Sequence, residues 1–73
     1  MGSKIRVNKQ NVDALAGALE ALRTHLRKLA ALTKDYPVEC SFAGYRFVFT
    51  SEGDIVELIE TIDEKLTAFR SAA

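Results

Sequence analysis

Two side chains of this sequence have the chemistry of a nucleophile and a base, Cys40 and His25, and each is the only residue of its type. A thiol and an imidazole catalyse acyl transfer only when a third group orients them beside a lined pocket. The sequence indicates neither feature, because Cys40 falls on the apolar face of a predicted strand and His25 on the flank of a predicted helix. A cysteine in such a position behaves as a small apolar residue. We therefore predict no catalytic residue and a protein that is not an enzyme.

Three glutamates could supply carboxylates for acid–base chemistry or for a metal, since Glu57, Glu60 and Glu64 recur at i, i+3 and i+7. That spacing puts them on one face of a helix. Acid–base catalysis requires carboxylates in a partly desolvated cleft, and the spacing matches no calcium loop. Zinc-type ligand pairs and a glycine-rich phosphate loop are also missing from the sequence. We predict a solvated helix face, with no metal and no cofactor.

A basic stripe could contact phosphates, because Arg23, Arg27 and Lys34 lie at i, i+4 and i+11, with Lys28 adjacent. No aromatic residues are interleaved with these bases, and no helix-turn-helix spacing appears. Contact with nucleic acid is therefore the weakest of the functional hypotheses.

The charges are divided between the two halves of the chain. Residues 1–34 hold seven basic and two acidic residues, whereas residues 35–73 hold three basic and eight acidic ones. The simplest interpretation is two solvated helix faces of opposite sign. The alternative is that the faces attract each other between copies, in head-to-tail contacts that close into a ring. The candidate interaction surface consists of the charged residues Arg23, Arg27, Lys28, Lys34, Arg46, Glu57, Glu60 and Glu64.

The 73 residues suffice for one small domain with a thin core. An apolar fraction of 48% and a charged fraction of 27% are typical of a soluble globular chain. No apolar run reaches the length of a membrane span, and a lone cysteine fits a reducing compartment. We expect a cytoplasmic protein that does not enter the membrane.

Apolar spacing predicts the elements that position these residues. A stripe that steps by three and four predicts a first helix over residues 11–34, capped by Asn8 or Asn11 and stopped by Pro37. Its members are Val12, Leu15, Leu19, Leu22, Leu26 and Leu29. A similar stripe predicts a second helix that follows Ser51 and ends near Arg70. This second stripe comprises Ile55, Val56, Leu58, Ile59, Ile62, Leu66 and Phe69.

A β-hairpin is predicted between the helices, with a two-residue turn at Ala43-Gly44. This register pairs Phe42 with Tyr45 and Val38 with Phe49, and it separates an apolar face from a polar one. The predicted inner face comprises Val38, Cys40, Phe42, Tyr45, Phe47 and Phe49. Phe47→Ala is expected to destabilise the domain by about 3–5 kcal/mol, as for other buried aromatic residues.

The fold class is therefore α+β, a helix–β-hairpin–helix in which two antiparallel amphipathic helices pack on a two-stranded antiparallel hairpin, whose inner face closes one end of the core. Residues 1–10 form a basic arm, either disordered or added as a short edge strand. Residues 11–70 form the domain, and residues 71–73 form a frayed tail.

Residues 29–66, LAALTKDYPVECSFAGYRFVFTSEGDIVELIETIDEKL, resemble the head–tail joining protein W family of tailed bacteriophages. The likeness lies in the Leu/Ala-rich helix end, the small turn, Phe49-Thr50 closing the second strand, and the helix led by Asp54. It implies a non-enzymatic virion part that assembles as a ring below the portal and helps to close the filled head for tail attachment.

Three functional hypotheses follow. The leading one is a small structural adaptor that acts by protein–protein contact, as a phage or prophage head–tail connector with portal or tail partners, located in the host cytoplasm or the virion. The second is a small regulatory or inhibitory protein, dimeric through the leucine seam of the first helix. The third is an accessory protein that contacts DNA.

Overall fold

The computed structural model describes residues 5–72, and for Phe42 it describes the backbone only. Four elements follow one another along the chain. Helix α1 spans Val12–Thr33, strand β1 spans Val38–Phe42, strand β2 spans Tyr45–Phe49 and helix α2 spans Glu52–Ala72. The predicted helix–hairpin–helix arrangement of the α+β class is confirmed.

Two asparagines build the start of α1. The Asn8 side chain accepts the backbone N–H of Asn11 (3.0 Å), and the Asn11 side chain accepts the N–H of Asn8 (2.8 Å). This exchange has the pattern of a capping box, in which two residues three apart satisfy each other's backbone donors. The Asn11 amide also donates to the carbonyl of Arg6 at 2.7 Å, so the cap holds the preceding segment in place.

The hairpin has the predicted register, because Val38 lies opposite Phe49 and Phe42 lies opposite Tyr45. Its turn residues have positive φ angles, 51° at Ala43 and 83° at Gly44. Two positive φ angles define a type I′ turn, whose twist matches that of the strands it joins. Ala43 therefore adopts a positive φ angle although it has a Cβ atom, which makes this conformation unfavourable.

The start of α2 is capped across the junction with β2. The carboxylate of Asp54 accepts both the backbone N–H and the hydroxyl of Thr50, each at 2.8 Å. Ser51, the cap indicated by the sequence, immediately precedes α2, and the structure adds the two hydrogen bonds from Thr50 to the same acid. These hydrogen bonds hold the pKa of Asp54 below its ordinary value, because they stabilise the charged carboxylate.

Helices α1 and α2 run antiparallel, since α1 ends and α2 begins at the open end of the hairpin. Beside the turn, the Tyr45 hydroxyl accepts the backbone N–H of Arg6 at 3.1 Å. Arg6 precedes α1, so the hairpin lies along the helix pair rather than only closing one end of it. The buried apolar core contains Ile5, Leu15, Leu19, Leu22, Phe49, Ile55, Leu58, Ile59, Ile62 and Leu66.

Residues 5–10 pack on the domain instead of extending from it. The side chain of Ile5 is only 3% exposed and belongs to the core. Residues 5–8 adopt no regular secondary structure, so this part of the predicted arm is not an edge strand. Residues 1–4 of the arm and Ala73 of the predicted tail lie outside the described residues, and α2 continues to Ala72.

Candidate interaction surfaces

The basic stripe of α1 lies beside α2. The guanidinium of Arg23 is 3.2 Å from the carboxylate of Asp63, and both side chains are about half exposed. Because the helices are antiparallel, Arg27 and Glu60 follow one turn further along the same seam. The predicted basic and acidic faces therefore meet within one molecule at Arg23. The charges of Arg23 and Asp63 are already paired there, which leaves fewer charges for contacts between copies.

Arg46 lies on the outer face of the hairpin and is paired within it. One guanidinium nitrogen, Nη2, donates to both carboxylate oxygens of Glu39, each at 2.8 Å. This hydrogen-bonded contact raises the pKa of Arg46 above its ordinary value. Both side chains are largely solvated, so the pair orders the outer face more than it stabilises the fold.

The remaining residues of the candidate surface are exposed and, within residues 5–72, form no salt bridge. These are Arg27, Lys28, Lys34, Glu57, Glu60 and Glu64. The structure thus places all eight predicted residues at the surface, on α1 and the residue that follows it, on β2 and on α2. It joins two of them to acids of the same chain and assembles no single site from the eight.

His25 and Cys40 lie in different environments. His25 is exposed on α1, whereas Cys40 is half-buried on the inner face of β1 and packs against the core. Burial raises the pKa of the Cys40 thiol, so the reactive thiolate is disfavoured at neutral pH. Among the described residues, no group of three histidines, cysteines or acids is placed to hold a metal ion.

Among the side chains that the structure describes, three large apolar ones are exposed, and the charge pattern did not indicate them. Leu32 is 38% exposed, Tyr36 is 61% exposed and Val48 is 56% exposed. The backbone N–H of Tyr36 donates to the carbonyl of Leu32, which places Leu32 in the last turn of α1 and Tyr36 one turn further, beyond the end of the helix. The sequence could have indicated the exposure of two of them. Leu32 falls outside the apolar stripe of α1, and Val48 is the apolar member of the polar hairpin face.

Comparison with protein-family models, with curated proteins and with solved structures gave no match. The resemblance of residues 29–66 to the phage joining proteins therefore stays a prediction. Within the part of the chain that the structure describes, neither helix combines the length and apolarity that a membrane crossing demands.

Proposed function

We propose that this protein is a small adaptor that acts by protein–protein contact, without a catalytic residue or cofactor of its own. The observation that carries the proposal is the exposure of Tyr36 and Leu32 on one side of the α1 terminus. Tyrosine offers a large contact area at low cost in side-chain entropy and is enriched at binding surfaces. Lys28 and Lys34 are exposed near this terminus and would supply its polar rim.

Self-association is part of the proposal. The unpaired charges of α1 and α2 give each copy a basic and an acidic surface, although the contact between Arg23 and Asp63 neutralises some of that difference. Head-to-tail contacts would then hold the copies in a ring, and they would weaken as salt screens the charges.

A finer version of the proposal is a phage or prophage head–tail connector, working in the host cytoplasm or the virion with portal or tail components. It rests on the resemblance of residues 29–66 alone. The fold of the described residues is compatible with it, and genes for a portal and a terminase next to that of this protein would support it.

The second hypothesis, a dimeric regulator or inhibitor, needs a different surface from the one first considered. The seam residues Leu15, Leu19 and Leu22 are buried between the helices of one chain. A zipper through this seam would require the two helices to separate. A regulator of this fold would instead dimerise or bind its partner through the Leu32 and Tyr36 surface.

Light scattering at low and at high salt tests the adaptor proposal. A charge-driven ring gives a mass that falls to that of the monomer at high salt, whereas association through Tyr36 persists. Tyr36→Lys should weaken the salt-resistant association, and Gln10→Lys, which adds the same charge at another exposed position, should leave it unchanged. A capture experiment with the native chain and the Tyr36→Lys variant as baits tests for other partners. The proposal is contradicted if the chain stays monomeric at every salt concentration and the native bait retains no protein that the variant bait fails to retain.

DNA binding is the third hypothesis and rests on Arg27, Lys28 and Lys34. A gel-shift assay with duplex DNA at low salt checks it, because phosphate contacts strengthen as salt falls. The absence of any shift there would remove this hypothesis and leave the adaptor proposal untouched.

A further inference from the structure

The hairpin leaves a row of backbone groups unpaired along its β2 edge. In an antiparallel pair closed by a two-residue turn, the positions that exchange hydrogen bonds alternate with positions whose N–H and C=O point away from the partner strand. Given the register, the outward positions are Glu39 and Ser41 on β1, and Arg46 and Val48 on β2. Within the described residues, the outward groups of Arg46 and Val48 have no hydrogen-bond partner.

The two edges differ in how far they are protected. Pro37 immediately precedes β1, and a proline has no N–H to offer to an added strand. The β2 edge has no proline, and its outward-facing residue Val48 is 56% exposed. Beyond Val48, the N–H of Thr50 is already satisfied by the carboxylate of Asp54. The β2 edge is therefore the one open to pairing, and its open part ends at Thr50.

We propose that β2 pairs antiparallel with β2 of a second copy, about a two-fold axis at Val48, so that the two hairpins form one four-stranded sheet. The same strand can serve both copies because a two-fold antiparallel contact is self-complementary. This pairing goes beyond the proposed function, since it names a second copy as the partner of the β2 edge and gives the register of the contact. It does not depend on what the dimer does.

Charge and apolar contacts select this register over its neighbours. An axis at Arg46 would set Arg46 directly against Arg46 of the second copy, which is unfavourable. An axis at Phe47 would set Val48 against a guanidinium. An axis at Val48 instead pairs Val48 with its own copy and places Arg46 opposite Thr50 of the second copy.

That position gives Arg46, which is already bonded to Glu39 of its own chain, a second acidic neighbour. The hydroxyl of Thr50 is 2.8 Å from the carboxylate of Asp54, so an arginine opposite Thr50 lies within reach of an acid. In this register the carbonyl of Thr50 accepts the N–H of Arg46 from the second copy, while the N–H of Thr50 stays bonded to Asp54. Each Arg46–Thr50 pair therefore forms one of the two backbone hydrogen bonds that such a pair exchanges. Contacts between Arg46 and Asp54 thus form twice across the axis.

Disulfide trapping tests the register directly, in a chain whose native thiol is removed by Cys40→Ala. In the proposed dimer the Cα atoms at position 48 form a hydrogen-bonded pair about 5.5 Å apart, within the range of a disulfide. Val48→Cys should therefore yield a covalent dimer on mild oxidation. Arg46→Cys, also at an exposed outward position, should not, because its copies lie about 14 Å apart along the strands at about 3.4 Å per residue.

Sedimentation equilibrium tests the association itself. The native chain should show a monomer–dimer equilibrium, and Val48→Lys should raise its dissociation constant at least tenfold by placing two ammonium groups face to face. Ser41→Lys adds the same charge at the β1 edge and should change the constant less than twofold. A native chain that stays monomeric up to about 1 mM overturns the proposal, as do covalent dimers formed equally at positions 46 and 48.

Discussion

Asp54 joins the hairpin to α2 through a single side chain. Its carboxylate accepts hydrogen bonds from the backbone N–H and the hydroxyl of Thr50. These bonds, together with one from the backbone N–H of Ser51, lower the pKa of Asp54. It also lies in the first turn of α2, where a negative charge is favoured by the helix dipole. The end of β2 is thus fixed to the beginning of α2 by ionic hydrogen bonds.

Replacing the acid should lower stability in a manner that depends on pH. The folded-state pKa of Asp54 lies below its ordinary value of 3.8, so the charged form stabilises the fold above that value and this stabilisation is lost as pH falls through the folded pKa. We expect Asp54→Asn to melt below the native chain at pH 7 and the two melting temperatures to converge in acid. Thermal melts between pH 7 and pH 2 measure this. If the difference between the two melting temperatures did not narrow in acid, the stabilisation by Asp54 would not depend on its negative charge.

Ile5 anchors the segment before α1 to the core. Its side chain is 3% exposed, and the neighbouring backbone is held by Tyr45 and Asn11. We expect Ile5→Ala to cost about 2–5 kcal/mol, the usual loss for a buried isoleucine. Lys9→Ala, which alters an exposed side chain of the same segment, should cost little. Urea denaturation of both variants gives the comparison, and equal midpoints would place Ile5 outside the cooperative unit.

At the scale of the elements, the turn of the hairpin is held in a conformation that suits glycine at both positions. A Cβ atom at Gly44 would meet no other atom within 4 Å, so nothing but backbone conformation opposes a side chain there. We expect Gly44→Ala to destabilise the domain by about 1–2 kcal/mol, the cost of the left-handed conformation for a residue with a Cβ.

The converse change at the neighbouring position should stabilise the hairpin. Ala43 has a φ of 51°, and asparagine tolerates this region better than alanine does. Ala43→Asn should therefore raise the free energy of unfolding by about 1 kcal/mol. Chemical denaturation of the native chain and of the two turn variants measures whether Gly44→Ala lowers the free energy of unfolding and Ala43→Asn raises it. A loss of stability in Ala43→Asn would show that the methyl packing of Ala43 outweighs its backbone strain.

The alternation of side chains predicted the hairpin register because a slip by one residue would have exchanged the apolar and polar faces. It did not indicate how deeply each inner residue is buried. Phe49 is 2% exposed and fully in the core, while Phe47, chosen from the sequence as the test of burial, is only half-buried. A large loss is therefore expected from Phe49→Ala rather than from Phe47→Ala.

Contacts between distant segments were the part that local patterns could not supply. Ile5 and Val7 were too few to define an element, yet Ile5 is buried because the hairpin tip and the Asn8–Asn11 turn bring it to the core. The charged residues were correctly expected at the surface, but the pairing of Arg23 with Asp63 depends on how the two helices are aligned. Spacing along one helix carries no information on that alignment.

For the whole molecule, the two helices share one core that serves as the interior of a monomer. Leu22 is 5% exposed within it. We expect Leu22→Asp to unfold the chain, since an unpaired carboxylate cannot be buried there without a large penalty. Circular dichroism and light scattering on the same sample check this. A folded monomer would show instead that Leu22 serves an interface between copies.

The capped hairpin also bears on how fast the chain folds. Its turn and its paired strands are local contacts, whereas the packing of α1 on α2 joins residues far apart in the sequence, as in the contact between Arg23 and Asp63. Once formed, the hairpin shortens the effective loop between the helices and lowers the entropy cost of bringing them together. Substitutions in the Ala43-Gly44 turn should then change the folding rate more than the unfolding rate, which would place the hairpin in the folding nucleus.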